Sequence, residues 1–462
     1  MNPARIPPAE LQWRGAQAYS AHFGDIYFST DGSNEVRRVF LEPTGLSNPR
    51  SADDASLTTV AELGFGTGLN FAVLAERFLQ ASHARLHFIS VEAHPLRFAD
   101  WQTVAAQQPQ LSLYAELAAF PPPLLRGWHR RTFAAGRITL SVFHGEVAEA
   151  LSEIRTHSSV AVDAWLLDGF DPQKNPAMWQ PQLFADIAAA SCAGSRIATF
   201  TAAGQVRRNL EAVGFTMQRV DQRPYKRESL AGTLTNTQHQ RPATSQAPVA
   251  ASDLPVTIYG AGIAGAMVAR HLADAGVASI VVDPHGIAGG ASAMRHTLLH
   301  ARLLGDLSAE AELRSHAFHY ATAYARSWLA EPSGAYQVEG RNMDAAKLAR
   351  IADAYGAQDP DNHHWIEYRH QYHHQAEDPE LRLSEGDGCL WFPTSRVVDL
   401  AEWCRRLLDH PLICFSQSPP AQQHWRVLCT ATATRRFANL DWLELADVGG
   451  QLDTLSFSQP RV

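Results

Sequence analysis

Three glycines at alternating positions follow a strand-like apolar run in the first third of the chain. They are Gly64, Gly66 and Gly68, and the acidic Glu62 comes before them. Because glycine lacks a Cβ atom, such a turn lets a ligand come close to the backbone. The spacing is G-x-G-x-G and differs from the G-x-G-x-x-G of dinucleotide sites. It therefore favours a ligand without a pyrophosphate.

A second carboxylate, Glu92, stands at the end of the next strand-like run. One of the two acids can lie near a methionine ammonium, and the other can accept hydrogen bonds from a ribose diol. A glycine turn flanked by Glu62 and Glu92 is typical of the S-adenosylmethionine site of class I methyltransferases. Asn70, just after the last glycine, completes this group of candidate cofactor-binding residues.

Asp168 directly follows another apolar run, 164–167, and begins the sequence Asp-Gly-Phe-Asp-Pro. Ligands of open α/β sheets bind at the carboxyl ends of the strands. Methyl transfer to an amine is an in-line displacement, so the lone pair of a neutral amine must point at the sulfonium methyl group. Asp168 can orient that amine and take its proton as the catalytic residue, and Phe170 can pack on a flat ligand. A carboxylate that caps the following turn is the structural alternative for Asp168.

A second glycine turn begins the other half of the chain. Gly260, Gly262 and Gly265 follow an apolar run with complete G-x-G-x-x-G spacing. A helix at 266–275 and a strand at 279–282 are predicted next, and Asp283 then stands 18 residues after Gly265. In a full βαβ unit this pattern predicts an adenine dinucleotide site, with Asp283 at a ribose hydroxyl.

Strand-like and helix-like runs alternate through the first half of the chain. The predicted strands are 58–62, 86–92, 138–144, 164–167 and 197–200, and the predicted helices are 69–79, 96–106, 147–154 and 205–212. Such alternation indicates a doubly wound parallel sheet. Residues 238–252 are poor in large apolar side chains and rich in Gln, Ala, Pro and Ser, which predicts a linker between domains at 1–237 and 253–462.

The composition excludes a small binding module and a membrane protein. With 462 residues, of which 45% are apolar and 19% charged, the chain is long enough for several domains. No apolar run approaches the roughly 20 residues of a membrane helix, and the N-terminus has no secretory pattern. We therefore expect no membrane contact and a cytoplasmic location. Five widely spaced cysteines without a C-x-x-C pair argue against disulfides and a zinc site, and we expect no metal.

Basic residues form local clusters although the net charge is −8. The clusters are Arg126, Arg130, Arg131 and Arg137, and then Arg207, Arg208, Arg219, Arg223, Lys226 and Arg227. Such clusters can bind the phosphates of a nucleic acid. A solvated helix face is an equal alternative.

Several blocks of the first 230 residues together resemble the methyltransferase half of the MnmC family. They are FGDIYFS at 23–29, ELGFGTGLNF at 62–71, LDGF at 167–170, TFT at 199–201 and KRE at 226–228. The resemblance implies an S-adenosylmethionine-dependent enzyme that acts on the anticodon region of tRNA. It would methylate 5-aminomethyl-2-thiouridine at the wobble position to 5-methylaminomethyl-2-thiouridine. The resemblance places Asp168 at the catalytic carboxylate, Glu92 at the ribose and Glu146 beside the adenine.

In the second half, GGASAMR at 289–295 resembles the turn that follows the ribose carboxylate in the FAD-dependent half of the same family. This implies FAD and an oxidative removal of the carboxymethyl group from 5-carboxymethylaminomethyl-2-thiouridine before methylation. Ala293 and Met294 stand where the family has Gly and Asn, and the sequence ends soon after 449–451, which resembles the start of the family's substrate domain. We therefore expect a domain that is incomplete at its C-terminus and binds FAD weakly or not at all.

The predicted fold is thus α/β, with a Rossmann-like class I methyltransferase sheet followed by a partial FAD-binding Rossmann-type domain. The preferred function is an active tRNA methyltransferase joined to an impaired oxidoreductase. Two alternatives stay open. Either both catalytic steps are retained, or the chain is a non-catalytic tRNA-binding protein with vestigial nucleotide sites. If the oxidoreductase half is inactive, a separate flavoprotein would supply the aminomethyl substrate.

Overall fold

The computed structural model divides the chain into two compact units. It describes residues 5–15, 17–29, 31–47, 57–81, 84–157, 160–224, 227–236, 254–306, 308–326, 328–329, 331–339, 343–369, 388–423 and 425–437. The first unit comprises Met1–Ser245, Arg302–Tyr324 and Ala349–Glu367, and the second comprises Gln246–Ala301, Ala325–Leu348 and Tyr368–Val462. The predicted linker 238–252 and the stretch 449–451 lie outside the described residues, so the domain boundaries stay a prediction.

The first unit begins with a three-stranded antiparallel sheet. Its strands are β1 (Leu11–Arg14), β2 (Gln17–Ser20) and β3 (Asp25–Ile26). Two short helices, α1 (Gly32–Val36) and α2 (Glu42–Thr44), flank a π-helical turn at Arg37–Leu41. Val36, Val39 and Phe40 are buried in a hydrophobic core that they share with the central sheet. This burial anchors the N-terminal segment on one face of that sheet.

An eight-stranded mixed sheet forms the centre of the first unit. Its strands are β4 (Leu57–Leu63), β5 (Arg85–Glu92), β6 (Gly127–Phe133), β7 (Ile138–His144), β8 (Val162–Leu167), β9 (Ser191–Thr199), β10 (Phe215–Asp221) and β11 (Glu228–Leu234). They lie in the order β10-β11-β9-β8-β4-β5-β7-β6, and β9, β8, β4, β5 and β7 run parallel. The predicted parallel core is confirmed. The antiparallel strands β6, β10 and β11 are additions that the alternation does not predict.

Helices cover both faces of this sheet. They are α3 (Leu69–Gln80), α4 (Phe98–Gln107), α5 (Ser112–Ala119), α6 (Val147–His157), α7 (Pro181–Ala190) and α8 (Gly204–Ala212). Val60 and Leu166 belong to the core shared with α3, α4 and α5, whereas their neighbours Ala61 and Trp165 belong to the core shared with α6, α7 and α8. Because both faces are covered, the central strands are apolar along nearly their whole length. The predicted doubly wound architecture is confirmed.

The strand order brings three strand ends together. β8, β4 and β5 are neighbours at the centre of the sheet and run parallel. From β4 the chain continues to β5 on one side, and it returns later to form β8 on the other side. The loops that follow these strands therefore meet at a switch point of the strand order, where open α/β sheets bind ligands.

The second unit begins with the predicted strand–helix–strand unit, formed by β12 (Val256–Tyr259), α9 (Ile263–Asp274) and β13 (Ser279–Val282). The other elements of the second half are β14 (Thr297–Leu299), α10 (Ala309–Ala325), β15 (Ala335–Gln337), α11 (Ala345–Tyr355), β16 (Glu367–Arg369), β17 (Cys389–Phe392), β18 (Arg396–Val398), α12 (Leu400–Leu408), β19 (Ile413–Ser416) and β20 (Arg426–Leu428). The strands β19-β13-β12-β20 form a parallel sheet in that order. The first βαβ unit of a nucleotide-binding sheet is therefore present.

Within the described ranges, no helix combines the length and the apolar character that a bilayer crossing requires. In the same part of the chain, no three His, Cys, Asp or Glu side chains are grouped so that they could hold a metal ion. The five cysteines are free thiols.

Candidate active site

The first glycine turn lies at the carboxyl end of β4 and touches the loops after β5 and β8. The backbone N–H of Phe65 donates to the oxygen of Val91 over 2.9 Å, and that of Asp168 donates to the oxygen of Leu63 over 3.2 Å. Gly64 has a φ of +95°, and a Cβ atom there would lie 2.8 Å from the backbone oxygen of Asp168. Glycine alone permits this approach. The predicted cofactor turn and the predicted catalytic loop are therefore in direct contact.

Asn70 connects two acids beneath this turn. Its side-chain amide donates to Glu62 Oε1 over 2.8 Å and to Asp168 Oδ2 over 2.7 Å. The second oxygen of Glu62 accepts a hydrogen bond from the Ser90 hydroxyl over 2.7 Å. Ser90 is not among the residues predicted from the sequence. A serine within the apolar strand β5 is a usable signal, because a buried hydroxyl needs a polar partner.

Glu62 lies behind the site and is only 1% exposed. Burial raises the pKa of Glu62 well above its usual range, and the nearby Asp168 carboxylate raises it further. The hydrogen bonds from Ser90 and Asn70 act in the opposite direction and offset only part of this. Taken together, these surroundings favour the protonated form of Glu62.

Glu92 ends β5 and ties that strand to the glycine turn. Its Oε2 accepts from the backbone N–H of Gly66 over 2.7 Å, and its Oε1 accepts from that of His94 over 2.8 Å. Burial raises the pKa of Glu92 to about 7, although these backbone donors lower it. Each carboxylate oxygen can still accept another hydrogen bond. The group therefore fits the hydroxyls of a ribose.

The loops enclose a cavity of about 540 Å³ within the first unit. This volume lies within the roughly 300–1,000 Å³ of small-molecule sites. The predicted residues that line it are Gly64, Gly66, Asn70, Glu92, Glu146, Asp168 and Phe170. Glu62 is not among the lining residues, and Gly68, with a φ of +72°, is the N-cap of α3. The structure thus brings most of the predicted residues to one cavity, and their roles stay predictions.

Aromatic rings form one wall of this cavity. The ring of Phe170 stacks on that of Phe23 with centroids 4.5 Å apart, and the ring of Tyr27 meets Phe170 edge-on at 5.3 Å. Lys174, in the loop after β8, lies 3.2 Å from the Asp25 carboxylate. The sequence alone does not predict a role for Lys174. Its ion pair helps to hold the segment 23–27 beside the loop that follows β8.

Arg131 and Arg137 of the first basic cluster have structural roles. For these two residues, neither phosphate binding nor a solvated helix face is the correct interpretation. Arg131 lies on β6 and is 6% exposed, and burial lowers its pKa to about 10. Arg137 donates to the backbone oxygen of Phe78 over 2.7 Å. Alternate side chains of a strand point to opposite faces, so a run of arginines on a strand need not form one surface. Lys226 of the second cluster lies outside the described residues.

The second glycine turn joins β12 to α9 in the second unit. Gly260 has a φ of +103°, and a Cβ atom there would lie 2.3 Å from the backbone oxygen of Cys429. A Cβ atom at Gly265 would lie 1.9 Å from the backbone oxygen of Gly260, so glycine lets α9 begin close to the strand. Gly262 is the N-cap of α9, and Asp283 accepts a hydrogen bond from a backbone N–H of the turn over 2.9 Å. The arrangement fits the adenosine and pyrophosphate groups of FAD.

Two family models match the chain. Residues 111–235 match the family described as S-adenosyl-L-methionine-dependent methyltransferase. Residues 255–411 match the family described as FAD dependent oxidoreductase. The chain therefore carries a methyltransferase domain and an FAD-dependent oxidoreductase domain, which confirms the predicted fold class and cofactors.

Relatives match along most of this chain. It is 37% identical over 425 residues to the tRNA 5-methylaminomethyl-2-thiouridine biosynthesis bifunctional protein MnmC of Marinobacter nauticus, and the match covers 89% of this chain and 65% of that protein. It is 32% identical over 483 residues to the protein of the same name from Stutzerimonas stutzeri, with 97% and 71% covered. The crystal structure of MNMC2 from Aquifex aeolicus is 20% identical at a TM-score of 0.39, and the match covers 51% of this chain and 73% of that chain.

The chain spans less than two thirds of the Marinobacter relative and 55% of an Aeromonas hydrophila protein of the same name. Its identity to the Stutzerimonas relative nevertheless exceeds 30% across more than two thirds of that protein. The two family models match successive parts of the same chain. The chain belongs to the MnmC family of tRNA 5-methylaminomethyl-2-thiouridine biosynthesis bifunctional proteins.

Proposed function

We propose that this chain methylates 5-aminomethyl-2-thiouridine at the wobble position of tRNA, with S-adenosylmethionine, to give 5-methylaminomethyl-2-thiouridine. Its relatives are named for the biosynthesis of that nucleoside, which supports the substrate. The observation that carries the proposal is the Asp168 carboxylate, which lines the cavity and is held by Asn70 over 2.7 Å. The anticodon region of tRNA is then the partner, and the expected cytoplasmic location is retained.

S-adenosylmethionine, when bound, supplies a methyl group on a positively charged sulfur. We assign the close backbone approach to Gly64 and Gly66, whose lack of side chains keeps the turn open. Glu92 accepts hydrogen bonds from the ribose hydroxyls, since its carboxylate is already oriented by two backbone N–H groups. Glu146 lines the same cavity and is assigned to the adenine. These roles distribute the cofactor along the carboxyl edge of the sheet.

Asp168 acts on the amine of the substrate. Its carboxylate accepts a hydrogen bond from the amine N–H, which turns the nitrogen lone pair toward the methyl group. S-adenosylmethionine would supply the carbon for the new bond to nitrogen, and the electron pair of its carbon–sulfur bond would stay on sulfur. The nitrogen then carries a positive charge. Asp168 stabilises this charge and takes up the proton that leaves.

The aromatic wall supports a flat substrate. A modified base in an anticodon loop must leave its stack to enter a pocket, and aromatic side chains receive the face of such a base. Phe170 and Phe23 offer this surface next to Asp168. The non-catalytic alternative has less support. Burying two acids that share one amide costs free energy, and a vestigial site would not be expected to retain such an arrangement.

Asp168→Asn tests the role of the acid. Single-turnover methyl transfer to tRNA that carries the aminomethyl group should slow by at least tenfold, since general bases contribute about 10²–10⁴. The affinity for S-adenosylmethionine, measured by calorimetry, should change by less than about threefold. Asp163→Asn is the matched control, because Asp163 lies at the other end of β8 and accepts from the backbone N–H of Thr59 over 2.7 Å. Equal rates for wild type and Asp168→Asn would remove Asp168 from this role.

We propose that the methyltransferase domain spans 1–237, the linker 238–252 and the oxidoreductase domain 253–462. We also propose a second activity, which belongs to the oxidoreductase domain. The replaced residues Ala293 and Met294 predict weak FAD binding or none. We propose instead that the domain binds FAD and removes the carboxymethyl group from 5-carboxymethylaminomethyl-2-thiouridine before methylation. The turn that contains Gly260, together with Asp283, supports the FAD site. A flavin absorption band in the purified protein tests binding.

Nucleoside mass spectrometry of tRNA from cells that lack the gene tests whether both steps belong to this chain. Accumulated carboxymethylaminomethyl uridine means that both steps were lost. Accumulated aminomethyl uridine means that only methylation was lost. The second result would assign the first step to a separate flavoprotein and contradict the second activity.

A further inference from the structure

The amide of Asn70 gives both of its hydrogens to acids. One goes to Glu62 Oε1 over 2.8 Å and the other to Asp168 Oδ2 over 2.7 Å. Asn70 is 3% exposed. Its own oxygen, Oδ1, is shielded from solvent and finds no hydrogen-bond donor among the described residues.

This orientation of the amide shows which contacts dominate. If the amide were rotated by half a turn, Oδ1 would face two acid oxygens and the N–H groups would lose both acceptors. The observed orientation satisfies the two acids and leaves a buried acceptor without a partner, which costs free energy. The attraction of Glu62 and Asp168 for the amide therefore outweighs that cost. Asn70 is held by the two acids together.

The two acids differ in their access to the cavity. Asp168 lines the cavity, whereas Glu62 is buried and not among the lining residues. Ser90 Oγ lies 2.7 Å from Glu62 Oε2, so a protonated Glu62 has an acceptor for its O–H, because a serine hydroxyl can accept as well as donate. The other oxygen of Glu62 then still accepts from Asn70. All polar atoms of a neutral Glu62 are satisfied in this arrangement.

We propose that Glu62 is a neutral acid that acts through Asn70 as a positioning residue for Asp168. Glu62 holds the amide so that one N–H is aimed at the Asp168 carboxylate, and the negative charge stays at the cavity. This inference deepens the proposed methyl transfer and rests on it for its consequence in catalysis. It replaces the cofactor contact that the sequence predicts for Glu62, because a neutral acid behind the cavity wall cannot form an ion pair with a methionine ammonium.

Infrared difference spectroscopy on the cofactor-free protein tests the charge of Glu62 without any methyl transfer. At neutral pH, Glu62→Gln should remove the carbonyl stretch of a protonated carboxylic acid. Glu149→Gln is the control, because Glu149 forms an ion pair with Arg126 and should lose a carboxylate band instead. Loss of a carboxylate band in Glu62→Gln as well would overturn the proposal. An acid band in a protein that proves unable to methylate tRNA would reject the proposed function and leave the charge assignment standing.

Methyl-transfer kinetics test the positioning. Glutamine at this position retains an oxygen for Asn70, whereas leucine of similar size does not. We expect kcat of Glu62→Leu to be at least tenfold below that of Glu62→Gln, with KM for tRNA changed by less than about threefold in both. The midpoint of the acid limb of kcat should be the same for wild type and Glu62→Gln, since one neutral group replaces another. Equal kcat losses in both variants, or a shifted midpoint in Glu62→Gln, would overturn the proposal.

Discussion

Gly64→Ala should impair the site more than its single added carbon suggests. The substitution adds two separate costs. The first is backbone strain, because Gly64 has a φ of +95°. The second is a collision, because the new Cβ atom would lie 2.8 Å from the backbone oxygen of Asp168. The collision acts directly on the loop that carries the proposed catalytic acid.

The two costs can be separated with a second glycine. Gly194 has a φ of +81°, and a Cβ atom there meets nothing within 4 Å. Gly194→Ala therefore has the strain alone, about 1–2 kcal/mol. Gly64→Ala adds an overpacking cost of about 1–3 kcal/mol. Its total loss in the free energy of unfolding should be about 2–5 kcal/mol.

The effect on catalysis follows from the displacement. To reach an ordinary contact of 3.4 Å, the backbone oxygen of Asp168 and the new Cβ atom at position 64 must separate by a further 0.6 Å (3.4 − 2.8). A misplacement of about 1 Å can cost about 100-fold in rate, so about tenfold is expected here. Urea unfolding and single-turnover methyl transfer measure the two effects. If Gly64→Ala and Gly194→Ala lose the same stability and transfer methyl groups equally fast, the contact between the two loops does not matter.

Three further predictions concern pH, flavin and salt. His144 is buried and His364 is half-buried, and desolvation lowers their pKa values to about 3 and about 4. Well above pH 6.5 the two histidines are neutral in both the folded and the unfolded chain. At lower pH they bind protons in the unfolded chain but stay neutral in the folded chain. The free energy of unfolding should then fall by up to about 1.4 kcal/mol per pH unit for each histidine, and a flat profile in urea unfolding between pH 7 and 5 would contradict this. Gly265→Ala should abolish any flavin absorption band, since its Cβ atom would lie 1.9 Å from a backbone oxygen, whereas Gly286→Ala, which meets nothing within 4 Å, should keep it. Affinity for tRNA should fall as salt rises, and a salt-insensitive dissociation constant would argue against phosphate contacts.

The sequence predicts the fold closely where the signal is local. β7 and β13 have the predicted bounds, 138–144 and 279–282. Both are short apolar runs whose burial does not depend on an unusual partner. The helix after the second glycine turn begins at Ile263 and so includes the last glycine. That difference is small because the turn itself marks the helix start.

Long-range pairing could not be predicted in the same way. β6 contains two arginines, and its sequence suggests a basic surface. It pairs antiparallel with β7, and Arg131 is buried there. The burial of such a side chain depends on which elements cover the strand, and a local pattern does not contain that information.

The candidate site shows the same division. The sequence places Glu62, Asn70 and Asp168 near strand or helix ends, and these positions suffice to bring them to one region. It does not show that one amide joins the two acids, because Asn70 and Asp168 are 98 residues apart in the chain. The direction of each side chain had to come from the packing of β4, β8 and α3.

Burial gives the acids at three neighbouring strand ends different tasks. Glu62, in our proposal, is neutral because it is enclosed, and Glu92, with a pKa of about 7, depends on two backbone donors for its charge. Asp168 has the Asn70 amide on one side and the cavity on the other. Three full negative charges this close together would repel one another, whereas a neutral Glu62 avoids most of that repulsion. A cation that develops in the cavity is then stabilised best beside Asp168, which is where the proposed methylation of an amine would create one.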